Sequence, residues 1–125
     1  MASAYAQAQT QTFLEFIQLP SQYNLANNPP RDLSFLTGLH THMLSTAPYE
    51  HLDLHYAAKD RSIALDPQHL YQKIVLHGRA RGEYCMELSL FYNHILRALG
   101  FDVYTAGVKI RRREEGVPKG DFIGW

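Results

Sequence analysis

The side chain with the sharpest chemistry in this sequence is its one cysteine, Cys85. It stands where a long helical pattern begins, and the unpaired N–H groups and positive dipole end of a helix N-terminus both favour thiolate. Arg79 and Arg81, just upstream, push the same way, whereas the negative charge of Glu83 pushes the thiol pKa up. Two readings are open on position alone: an activated nucleophile for covalent catalysis, and a small hydrophobe packed at a helix end. The sequence also holds seven histidines, and Glu50, His51, Asp53 and His55 cluster a short way after His40 and His42. A zinc site wants four ligands in tight geometry, often histidines four apart on a helix. This cluster lies in a segment without a helical stripe, so solvated or core histidines, and no metal site, are the reading. Arg111-Arg112-Arg113 is answered at once by Glu114-Glu115, which fits a solvated turn rather than a nucleic-acid patch. The Gly78 and Gly82 turn has no lysine at phosphate-loop spacing and is not a nucleotide loop.

The elements that must carry these residues follow from periodicity and punctuation. Residues 1–12 are small and polar and read as a disordered N-terminal tail. Phe13, Leu14, Phe16 and Ile17 predict a short helix closed by Pro20, and the Asn- and Pro-rich stretch 21–30 a loop. Asp32 is a candidate N-cap for a helix over Leu33–Ser45, halted by Pro48. In 49–63, Leu52 and Leu54 alternate with polar residues, a weak extended signal. Asp66 and Pro67 suit the cap and first position of the next helix, with Leu70, Tyr71, Ile74 and Val75 as its stripe and Gly78 beyond its end. From Cys85, the residues Leu88, Phe91, Tyr92, Ile95, Leu96 and Leu99 predict a wide apolar helix face, terminated by Gly100. After Gly100 the period changes to two: Tyr104, Ala106, Val108 and Ile110 predict a strand, 111–121 a hairpin connection, and Phe122–Trp125 the start of a return strand.

Composition narrows the function classes. The 125 residues suit one ordinary domain, and 12 basic against 12 acidic residues give no net charge. Neither nucleic acid nor an anionic membrane surface is the expected partner. With 46% hydrophobic and 19% charged residues the chain is globular, and no run approaches the roughly 18 apolar residues of a membrane span. The N-terminus lacks the basic-then-apolar order of a secretory signal, and a lone cysteine excludes an internal disulfide. A reducing, cytoplasmic setting is expected.

Arg81-Gly82-Glu83-Tyr84-Cys85 resembles the Arg-Gly-Gly-aromatic-Cys signature of the arylamine N-acetyltransferases. The continuation through Met86-Glu87-Leu88 and Leu96-Arg97-Ala98-Leu99-Gly100-Phe101-Asp102-Val103 looks like the stretch that follows that cysteine. Pro48-Tyr49-Glu50-His51-Leu52-Asp53 is similar to the family's Pro-Phe-Glu-Asn-Leu-Asp motif, and the resemblance runs from about Phe13 to Trp125. It implies an α+β fold: an N-terminal helical domain with papain-like thiol-enzyme logic over 13–100, then the first strands of an incomplete β-barrel domain over 101–125. It implies ping-pong chemistry through a Cys-His-Asp triad, in which acetyl-CoA acylates the cysteine and an arylamine or hydrazine takes the acetyl group. On this match Cys85 is the nucleophile and Tyr49 lines the acceptor pocket. Arg81 and Glu50 support the site, buried or partly buried around the cysteine. No bound cofactor is implied; acetyl-CoA is a substrate.

The sequence departs from the family at Glu83, which replaces the second signature glycine, and at Ser89, where many members have asparagine. No histidine follows His94, so the triad histidine and aspartate are not among these residues, and the expectation is an N-terminal fragment with little turnover by itself. His94 is nine residues along the same helix from Cys85, about 13 Å at helical rise, too far to substitute as base. The alternatives are a non-catalytic truncated paralogue that binds or regulates, self-associating through apolar surface, and a thiol hydrolase.

Overall fold

The computed structural model describes residues 2–50, 52–56, 65–77 and 84–108. The first departure from expectation is at the N-terminus. Residues read as a disordered tail form most of helix α1, Gln7–Phe16, whose N-cap amide at Ala6 donates to the Gln9 side chain (3.0 Å). Tyr5 and Thr10 are buried. What orders this polar stretch is long-range. Ser3 Oγ donates to the His94 carbonyl, the Ala4 amide to His94 Nδ1, and the Tyr5 hydroxyl to the Pro67 carbonyl. Composition registers little of this, because the stabilising partners are distant in sequence.

Two single 3-10 turns, Ser21–Tyr23 and Leu25–Asn27, fill the expected loop. Helix α2, Leu33–Thr46, begins as the sequence indicates: the Asp32 carboxylate accepts the Phe35 amide at 2.8 Å. It turns Phe35, Leu39 and Met43 inward. Where alternation suggested an extended segment, Leu52–Tyr56 is a short helix, α3. Its start is organised by Glu50, whose carboxylate accepts the Leu52 amide, and such a local acceptor outweighs two alternating leucines.

Helix α4, Pro67–Tyr71, has the expected Asp66 cap (to the His69 amide, 2.7 Å) and continues as one π-helical turn, Gln72–Leu76. Helix α5, Cys85–Ala98, is the centre of the assembly, with every one of its residues buried or half-buried. Phe13, Leu14 and Ile17 meet Leu70, Ile74, Phe91 and Ile95 in one core. The Phe13 and Phe91 rings cross edge to face at 5.5 Å. Burying each such aromatic or leucine contributes about 1.5–3 kcal/mol.

Gly100, at φ +83°, closes α5 in a Schellman turn: its amide donates to the Arg97 carbonyl and the Phe101 amide to the Leu96 carbonyl. The strand expected after it is not found among the described residues. Residues 101–107 are irregular, and Tyr49 and Val108 each take part in an isolated bridge. Alternation sets which way side chains face, but a strand exists only as a member of a ladder. The hairpin at 111–121 and the return strand at 122–125 lie outside the described residues. No described helix is long and apolar enough to cross a membrane.

Candidate active site at the start of the central helix

Cys85 is the first residue of α5 and half-buried. Tyr84 before it is extended (φ −66°, ψ 156°) and serves as N-cap. Its amide donates to Glu87 Oε2 at 3.2 Å, so one of the orphan donors of the helix start is tied by a residue of the helix itself. Glu87 is only 6% exposed, an uncommon state for a carboxylate. Its position in the first turn gives it both an amide partner and the positive dipole end.

The motif between α2 and α3 comes to the same place. Pro48 follows the end of α2, and the next residue, Tyr49, faces Tyr84 with ring centroids 6.1 Å apart and planes at 41°. Tyr49 is 59% exposed, so its ring is open to a molecule from solvent. The Tyr84 hydroxyl titrates above the ordinary tyrosine value. Electrostatic interaction with Cys85 is the largest cause, followed by hydrogen bonding with the Cys85 side chain, desolvation and Tyr49. Tyr84 thus precedes the thiol in the chain and faces the Tyr49 ring. Glu50 is half-buried and holds the start of α3. Arg81, Gly82 and Glu83 lie outside the described residues.

One turn along α5, on the face of Cys85, Ser89 opens onto a cavity of about 210 Å³ lined also by Leu65, Met86, Leu90 and Thr105. Three of the described histidines are engaged elsewhere. His94 Nδ1 accepts the Ala4 amide, His42 Nδ1–H donates to the Ile17 carbonyl, and the His40 ring lies 6.0 Å from that of Tyr92. Among the described residues no three histidine, cysteine, aspartate or glutamate side chains are grouped to hold a metal ion. His51 lies outside those residues. Glu87 is the site residue that the sequence reading missed. The available signal was a glutamate three residues after an N-cap, the second half of a capping box.

A thiol at N1 of a helix, beside a phenol and an exposed aromatic ring, suits nucleophilic acyl chemistry. Residues 32–120 match the N-acetyltransferase family model. The chain belongs to the arylamine N-acetyltransferase family. Among its relatives is the N-malonyltransferase FDB2 of Fusarium pseudograminearum, 33% identical over 123 residues, which covers 91% of this chain and 35% of the relative. The Gibberella moniliformis protein of the same name is 29% identical over 126 residues, 92% of this chain and 36% of the relative. An arylamine N-acetyltransferase of Gallus gallus, the pineal gland isozyme NAT-10, is 34% identical over 80 residues, covering 64% of this chain and 26% of the relative. The chain thus spans about a third of the length of these two N-malonyltransferase relatives. The matched region holds both the Cys85 segment and the Tyr49 segment.

Proposed function

We propose that this chain carries the nucleophile and part of the acceptor site of an acyl-CoA-dependent N-acyltransferase, with acetyl-CoA as donor and an arylamine or hydrazine as acceptor. The observation that carries the reading is Cys85 at the first position of α5, within the matched family region and one residue from the Tyr84–Tyr49 pair. The Cys85 thiolate attacks the thioester carbonyl, the carbon–sulfur bond to CoA breaks, and CoA leaves as the thiol after taking a proton. The amine nitrogen then attacks the Cys85 thioester. The nitrogen loses its proton, an amide forms and Cys85 is released.

Tyr49, largely exposed opposite Tyr84, is the residue against which the acceptor ring stacks. Glu50, which holds the start of α3, and Arg81, by its place in the signature, are the supporting residues of this reading. The family resemblance implies a histidine base and an orienting aspartate; the roles assigned here are those of the matched residues alone. A catalytic thiol works in a reducing compartment, and the cytoplasm is the setting this reading favours.

The test is intact-mass analysis after incubation with acetyl-CoA, and separately with malonyl-CoA, before and after adding an arylamine. One acyl adduct on Cys85 that disappears with amide formation is expected, and Cys85→Ser abolishes it. An adduct elsewhere with Cys85 unmodified overturns the assignment. Thioester hydrolysis without transfer to the amine would instead favour a thiol hydrolase.

A further inference from the structure

We infer that Glu87 is a positioning residue for the Cys85 nucleophile, an inference that rests on the reading of Cys85 as acyl acceptor. A carboxylate buried to 6% exposure, two residues from the Cys85 sulfur, loses hydration and is costly unless a partner satisfies it. Its contact explains the placement. Glu87 Oε2 accepts the backbone amide of Tyr84, the residue immediately before the thiol and the one whose ring faces Tyr49. Tyr84 has no side-chain cap of its own to fix the turn into α5. Glu87 therefore sets where the chain enters the helix, and with it the mutual placement of the Tyr84 phenol, the Cys85 sulfur and the Tyr49 ring. The function is carried by the acceptor oxygen, not by the charge. A glutamine supplies that oxygen at the same reach; an alanine cannot, and an aspartate, one methylene shorter, draws it back from a contact already 3.2 Å long.

The test follows acetyl transfer from p-nitrophenyl acetate to the protein, with release of p-nitrophenolate. It uses wild type, Glu87→Gln, Glu87→Asp and Glu87→Ala, with Cys85→Ser as background and a melting curve for each variant. Rates are compared at a temperature where every variant is folded. Glu87→Ala and Glu87→Asp are expected to acylate Cys85 at least about fivefold more slowly, and Glu87→Gln within about twofold of wild type. Glu87→Asp keeps the charge, so it decides the matter should Glu87→Ala fail to fold. Wild-type rates in Glu87→Asp, or equal losses in Glu87→Gln and Glu87→Asp, overturn the inference while leaving Cys85 as nucleophile. Absence of any Cys85 acetylation in the wild type overturns the nucleophile reading itself, and this inference with it.

Discussion

His94 Nδ1 accepts a hydrogen bond from the backbone amide of Ala4 at 3.1 Å, joining α5 to a residue 90 positions earlier. The same histidine's carbonyl takes the Ser3 hydroxyl at 2.8 Å, and its ring meets Tyr5 edge-on at 5.7 Å. Burial, with Arg97 adding to it, lowers the His94 pKa from its ordinary value of 6.5. An imidazole that resists protonation when folded and accepts protons freely when unfolded makes the unfolded chain bind more protons in acid. Stability is therefore full above pH 6.5 and declines as pH falls from there through the lower folded value. Thermal melts between pH 8 and pH 5 should show this decline, and it should be reduced in His94→Gln. Losing the Ala4 bond should cost the variant about 4–8 °C at pH 8.

Gly100 holds φ +83°, and a Cβ there would come within 2.5 Å of Arg31 Nε, the group that donates to the Leu99 carbonyl. Gly100→Ala should destabilise by about 1–3 kcal/mol, combining left-handed backbone strain with displacement of that guanidinium. Chemical denaturation checks it. If Arg31 contributes as described, Arg31→Ala and Gly100→Ala should be less than additive.

Helix α1 ends in the same kind of turn with a less suitable residue. Gln18 occupies the left-handed position at φ 54°, its amide donating to the Glu15 carbonyl and the Leu19 amide to the Leu14 carbonyl. Its side chain is exposed. Gln18→Gly should stabilise by about 0.5–1 kcal/mol, read as a raised melting temperature. Gln18→Val should do the reverse.

Tyr49 and Tyr84 make a testable prediction about acceptor binding. Tyr49→Ala removes the exposed ring of a pair 6.1 Å apart. The KM for an arylamine should rise about tenfold, with Cys85 acylation by the donor little changed. Ping-pong kinetics with each half-reaction measured separately distinguish the two. Slower acylation with unaltered KM would remove Tyr49 from the acceptor site.

Much of the helical framework was legible because its signals are local. Asp32 and Asp66 cap the helices they precede, Pro48 follows the end of α2, and Gly100 closes α5. Of the misread elements, α3 turned on a local acceptor, Glu50, that periodicity does not register, and the other two on partners that are not local. The N-terminal residues are ordered by Pro67 and His94, which no window around Tyr5 can reveal. Residues 103–107 alternate like a strand but form no ladder among the described residues. Within the site, Cys85 at a helix start was readable from the apolar stripe that follows it. Glu87 was hidden because an acidic residue in a first helical turn ordinarily faces water, and only the fold shows it buried.

Helix α5 turns none of its residues fully to solvent. Surface helices have a face on which sequence can drift at little cost; this one does not. Under the proposed role of Cys85, selection for a well-packed core and selection for a reactive sulfur fall on the same fourteen residues. Saturation mutagenesis should find few permissive positions there, and loss of foldedness and loss of chemistry should arise together in its variants.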